Sequence, residues 1–142
     1  MDIRIRWQRR IPGQKDQKTK QKLKRVLEDL ACHDKELSIL FTDDTRMARL
    51  NQEYLQRKGS TNVLAFPMTG GPASTLIGDV VISVETAMRE SETVGESLED
   101  TIDRLLIHGI LHLLGYDHTG SLSEARQMEK EEKRLMAVMR GD

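Results

Sequence analysis

Three of the four histidines in this 142-residue chain fall within eleven residues, His108-Gly109-Ile110-Leu111-His112-Leu113-Leu114-Gly115-Tyr116-Asp117-His118. On a helix, residues four apart lie one turn above each other on the same face, so His108 and His112 can turn their imidazoles toward one metal ion. Gly115 stands where a left-handed residue would end that helix, and the turn it permits can carry His118 back toward the pair. Three nitrogen ligands leave the fourth tetrahedral position of Zn²⁺ to water, which marks a catalytic rather than a structural zinc. An ion held in this way brings the pKa of a water toward neutrality and polarises a carbonyl or phosphoryl oxygen. The chemistry to expect is hydrolysis, with one ion per chain. A histidine pair alone, on a helix as apolar as this one, would also suit two hydrogen-bonded core residues. The third histidine, beyond a helix-ending glycine, is the one that core packing does not require.

The same spacing matches the extended metalloprotease pattern, in which Gly and a third His follow the paired His. Gly109, however, occupies the position of the Glu that serves such enzymes as general base. A small metallopeptidase is therefore a second reading that lacks its proton acceptor. Asp117, beside His118, is a candidate either for general base or for a partner that orients a ligating imidazole.

Read as His-Gly-x-Leu-His-Leu-x-Gly-Tyr-Asp-His, residues His108 to His118 resemble the signature of the YbeY family of bacterial rRNA-maturation endoribonucleases. Two further blocks agree with it: Thr61-Asn62-Val63-Leu64-Ala65-Phe66-Pro67 resembles the family's Thr-Asn-Val-Leu-Ser-Phe-Pro, and Ile77-Gly78-Asp79-Val80-Val81-Ile82 its Leu-Gly-Asp-Ile-Val-Ile. The resemblance implies a zinc-dependent, single-strand-specific endoribonuclease acting in 16S rRNA 3′-end maturation and ribosome quality control in the bacterial cytoplasm. Its partners would be RNA and ribosomal subunits, with no DNA. It also implies His108, His112 and His118 as metal ligands, and a mixed sheet whose histidine helix lines a cleft. The chain departs from the family at Leu55, where an Arg usually follows the aromatic residue matched to Tyr54, at Lys58, where Asp is common, and at Ala65. The family's Arg is taken to face substrate across the metal cleft. Arg57, two residues on, is the candidate replacement, because a guanidinium can bind a phosphodiester through two parallel hydrogen bonds. Against this stands the reading of Arg57 and Lys58 as ordinary loop charges. A third functional reading, a non-catalytic ribosome-assembly factor with a mainly structural metal, draws on Leu55 and on a basic N-terminus.

The elements that must position these residues can be read from periodicity. Alternation in Asp2-Ile3-Arg4-Ile5-Arg6-Trp7 predicts a strand, and Leu23, Val26, Leu27 and Leu30 predict a helix from about Asp16 to Ala31. Leu37 to Phe41 reads as a strand, followed by a helix to about Tyr54 with Met47, Leu50 and Tyr54 on one side. Asn62 to Phe66 is a short strand closed by Pro67, Met68 to Thr75 a loop, and Leu76 to Val84 a strand for the middle of a sheet. A helix from about Glu85 to Val94 precedes the histidine helix, which Ser97 opens. A last helix opens at Ser121 with Leu122, Ala125, Met128, Leu135 and Met139 inward. Together these predict one α+β domain over residues 1–142, a mixed sheet of about four strands covered by helices.

Composition bounds the remaining possibilities. Hydrophobic residues make up 37% of the chain and charged residues 32%, as in a globular protein. A single cysteine, Cys32, excludes an intramolecular disulfide framework, and no apolar run reaches membrane-spanning length, so a cytoplasmic protein without membrane partners is expected. The formal net charge of -1 conceals an asymmetry: residues 1–25 hold ten of the 22 basic residues and only two acids. That segment is either a solvated face or a phosphate-contacting patch. If RNA is the substrate, contact is expected on a basic surface near the metal cleft, including Arg9 and Arg10, with the acidic helices turned away.

Overall fold

In the computed structural model, which describes residues 2–11, 13–32, 35–67, 76–116 and 120–141, the chain runs β1 (Asp2–Trp7), α1 (Asp16–Asp29), β2 (Glu36–Thr42), α2 (Asp44–Leu55), β3 (Val63–Pro67), β4 (Leu76–Ser83), α3 (Val84–Val94), α4 (Leu98–Leu113) and α5 (Leu122–Arg140). The strands form one mixed sheet in the order β1-β2-β4-β3, with β1, β2 and β4 parallel and β3 antiparallel to β4. This is the expected α+β architecture, and β4 takes the expected interior position. The loop expected over Met68 to Thr75 lies outside the described residues.

The period of two along each strand sorts side chains between two cores. On one face Ile3, Leu37, Ile39, Phe41, Val80 and Ile82 join residues of α1, α3, α4 and α5. On the other face Val81 and Leu64 pack under Met47 of α2, with Leu40, Leu50 and Phe66 around them. Helices on both faces explain why Val80, Val81 and Ile82 are consecutive and all buried. At the β1 edge the Trp7 ring stacks on Phe41 at 4.1 Å, and its indole Nε1 donates to Asp16 Oδ1 at 2.7 Å.

Helix α4 is the central strut, packed on β3 and β4 on one side and on α3 and α5 on the other. Ser97 Oγ accepts from the Asp100 N–H at 3.1 Å, and Glu99 and Asp100 complement the helix dipole in the first turn. At the other end Gly115 adopts φ +97°, with Gly115 N–H donating to His112 O and Tyr116 N–H to Leu111 O, both at 3.0 Å. That is the left-handed helix stop expected from the sequence.

Two side chains depart from the expected packing. Leu122 is 67% exposed although expected inward. It precedes Met128 by six residues, which at 100° per residue turns it about 120° away from the buried stripe of Met128, Leu135 and Met139. Tyr54 is 61% exposed and makes an edge contact with Phe66, ring centroids 5.4 Å apart. No described helix is long and apolar enough to cross a membrane.

A charged contact ties α1 to α4. Lys22 Nζ donates to Asp103 Oδ2 at 2.8 Å and to Glu99 Oε1 at 2.7 Å, with the Asp103 side chain 6% exposed and that of Lys22 13%. Burial pushes the Asp103 carboxyl above its ordinary range against the pull of Lys22. Burial opposes charge on Lys22 as well, yet its two carboxylate partners hold the ammonium above its usual value.

Candidate active site

The histidine helix and a cationic loop face each other across the outer edge of the sheet. A cleft of about 770 Å³ is lined by His108, Gly109 and His112 of α4, by Val63, Leu64, Ala65 and Pro67 of β3, and by Asn51, Leu55, Arg57 and Lys58 at the end of α2 and in the loop after it.

His108 Nε2 and His112 Nε2 lie 3.0 Å apart. Two nitrogens bound to one tetrahedral zinc at about 2.0–2.1 Å sit roughly 3.3 Å from each other, so the pair already has nearly the spacing an ion requires. On the far side of the His108 ring, Nδ1 lies 2.7 Å from Glu132 Oε1 of α5, with the two side chains 26% and 22% exposed. A carboxylate there accepts the Nδ1–H, which fixes the tautomer and directs the Nε2 lone pair toward His112. The donor set and its spacing fit a metal ion. His118, expected as third ligand, and Asp117, expected as base or orienting partner, lie outside the described residues. Among the described residues no group of three or more His, Cys, Asp or Glu side chains able to hold an ion is assembled.

Nothing in the sequence singles out Glu132. It lies 20 residues past His112 beside Glu131 and near Glu129, on a helix whose acids are expected to face away. Only the packing of α5 on α4 selects it. That expectation is corrected at this residue.

Gly109 has a packing reason. A Cβ there would lie 2.8 Å and 3.1 Å from the two methyls of Val80 and 3.4 Å from a methyl of Val63. The glycine lets α4 settle onto β3 and β4, which sets the depth of both histidines in the cleft wall.

The opposing loop is built by Asp44 and Asn51. Asp44 Oδ1 accepts from Ser60 Oγ at 3.0 Å, Ser83 Oγ at 2.5 Å and Thr86 Oγ1 at 2.6 Å, while Oδ2 accepts from Arg89 Nη2 at 2.7 Å. Asn51 Nδ2 donates to Gly59 O at 3.0 Å, and Arg57 N–H donates to Asn51 O at 3.2 Å. The segment carrying Arg57 and Lys58 is thereby pinned at both ends. Burial opposes charge on Asp44, but the hydroxyl and guanidinium donors outweigh it and hold the carboxyl far below the usual 3.8. A depressed carboxylate contributes stability above its unfolded pKa and loses it as pH falls through the folded one. The Asp44 contribution is therefore intact at neutral pH and withdrawn only in strong acid. Asp44→Ala is expected to cost about 2 kcal/mol in urea unfolding and to speed hydrogen exchange at residues 57–61. An unchanged exchange rate there would show that Asp44 does not hold the loop.

The basic N-terminus stands elsewhere. β1 occupies the edge opposite β3, three inter-strand spacings or roughly 14 Å away. Several of its cations are engaged: Lys18 and Lys22 with Glu99, Lys22 with Asp103, and Arg25 with Met139 O. Among the described residues the Lys and Arg side chains that line the cleft are Arg57 and Lys58, and Arg9 and Arg10, expected near it, are not among them.

A family model described as Endoribonuclease YbeY matches residues 3–140. The Endoribonuclease YbeY of Syntrophotalea carbinolica is 44% identical over 121 residues, 82% of this chain and 81% of its own. That of Geobacter metallireducens is 43% identical over 120 residues, 81% of this chain and 80% of its own. A Thermotoga maritima protein solved in solution shares the fold, with a TM-score of 0.69 at 22% identity over 98% of this chain and 89% of that one. With the family match spanning nearly every residue and these relatives covering about four fifths of the sequence, the chain belongs to the endoribonuclease YbeY family.

Proposed function

We propose that this protein is a zinc-dependent endoribonuclease that hydrolyses phosphodiesters in unpaired RNA, with one ion held by His108, His112 and His118. The observation that carries the reading is the convergence of two imidazole Nε2 atoms, 3.0 Å apart, in a cleft whose other wall bears Arg57 and Lys58. Zinc bound there supplies an activated water and a Lewis acid for a phosphoryl oxygen. Glu132 orients His108, and Arg57 offers a phosphodiester two parallel hydrogen bonds, with Lys58 beside it as a point charge. The names of the curated relatives support RNA as substrate. We further place the activity in 16S rRNA 3′-end maturation and ribosome quality control, on ribosomal subunits in the cytoplasm, as the histidine signature and its companion blocks suggest.

The test is incubation of zinc-replete protein with labelled single-stranded RNA, duplex RNA and a casein-like peptide, with chelator and His112→Ala controls. Cutting of single-stranded RNA that both controls abolish is expected. Peptide cutting alone would assign the protein to the metallopeptidases, and tight RNA binding without cutting would favour an assembly factor. In the same preparation Glu132→Ala is expected to weaken zinc binding about 10- to 100-fold by calorimetric titration, with the melting temperature of the metal-stripped protein largely unmoved. Unaltered affinity would remove Glu132 from the site.

A further inference from the structure

The cleft floor is a sheet edge, and its backbone groups have a pattern of their own. In an antiparallel pair, opposed residues alternate between exchanging both hydrogen bonds and exchanging none, and in the latter the N–H and C=O point away from the partner. Ser83 N–H donates to Asn62 O at 3.0 Å, and the register pairs Val63 with Ile82, Leu64 with Val81 and Ala65 with Val80. Asn62, Leu64 and Phe66 therefore bond to β4, whereas Val63, Ala65 and Pro67 turn their backbone groups outward; every residue from Asn62 to Pro67 except Phe66 lines the cleft. The Val63 N–H is taken by Asn62 Oδ1 at 2.7 Å, and Asn62 is itself held by Glu90 Oε1 at 2.7 Å. Pro67 has no N–H. Among the described residues, Ala65 alone in β3 presents an outward donor and an outward acceptor together.

We propose that the N–H and C=O of Ala65 bind the Watson–Crick edge of an unpaired RNA base while the adjoining phosphodiester lies between the histidine pair and Arg57. The proposal rests on the endoribonuclease reading above and names how the same cleft recognises its substrate. Every RNA base carries a donor beside an acceptor on that edge, so the contact tolerates sequence but requires a base that is not already paired. Charge selects the occupant: Arg57 and Lys58 face the same edge, favouring a polyanion over an extended peptide. Leu55, 41% exposed in the cleft wall, adds apolar surface beside the base site.

The test compares binding of oligouridine and oligo-N3-methyluridine, whose methyl group blocks the donor of the Watson–Crick edge, by fluorescence anisotropy, together with their cleavage. Wild-type protein is expected to bind the unmodified RNA at least about tenfold more tightly. Ala65→Pro removes the outward N–H at a place where an edge strand accepts proline, and is expected to bind both RNAs equally weakly with wild-type circular dichroism. Equal binding of the two RNAs by wild type overturns the proposal whether or not the proline variant folds. So does binding of an extended peptide with none of RNA. Discrimination without cleavage would sink the nuclease reading and keep the base contact, whereas cleavage without discrimination would do the reverse.

Discussion

Gly109→Glu is expected to unfold the protein and not to create a peptidase. The substitution supplies the general base that the zincin-like spacing lacks, at the position where metallopeptidases carry it. In this fold that position faces the sheet: a Cβ alone would press on Val80 at 2.8 Å, and a carboxylate beyond it would have to enter the core between α4, β3 and β4. Overpacking costs about 1–3 kcal/mol, and an unpaired buried carboxylate adds several more. Against a total stability of about 5–15 kcal/mol for a domain of this size, the sum removes most or all of the fold. Gly109→Ala separates the two effects, since it keeps the crowding without the charge. It is expected to lower the urea midpoint by the equivalent of about 1–3 kcal/mol and to weaken zinc binding by shifting both histidines together. A folded Gly109→Glu protein with chelator-sensitive peptidase activity would contradict the packing described for α4.

Lys22→Met is expected to cost about 3–5 kcal/mol at neutral pH, and more than Asp103→Leu. The asymmetry comes from the neighbours. Without Asp103, Lys22 still reaches Glu99, whereas without Lys22 the Asp103 carboxylate is buried and its ammonium partner is gone. Burial already pushes Asp103 upward with Lys22 in place, and loss of the cation raises it further. A carboxyl whose folded pKa lies above its unfolded value destabilises above that pKa and is relieved as pH falls through it. The Lys22→Met penalty should therefore shrink between neutral pH and the mildly acid range. Combining Lys22→Met with Asp103→Leu should recover most of the loss, because apolar groups of similar volume then replace both members of the pair. Urea unfolding of the two single variants and the double variant at two pH values measures all of this. A pH-independent penalty would show that Asp103 is not the stranded group.

How much of this was legible in the sequence depended on how locally each feature is determined. Strand and helix limits followed from periods of two and 3.6 and from Ser97, Ser121, Gly95 and Gly115 at the ends, and the observed bounds differ by only a residue or two. The histidine pair was legible for the same reason, as one helical turn sets its geometry. Glu132 was not, because the partner of a ring nitrogen 24 positions away is chosen by how α5 lies on α4. The sequence marked Gly109 as a missing base, but the Val80 contact behind it is a matter of tertiary packing. Leu122 shows a finer limit: its apolar type favours the inward face, whereas its angle from Met128 points it to solvent. Charge count was the least informative signal, since β1 and β3 end up on opposite edges of the sheet.

The position of the one tryptophan gives the protein a built-in optical probe. Trp7, stacked on Phe41 and anchored to Asp16, belongs to the strand most distant from the cleft. Its emission should follow loss of the sheet while remaining nearly silent to occupancy of the site. Changes in folding and changes in ligand binding can thus be read apart in one sample, without an added label.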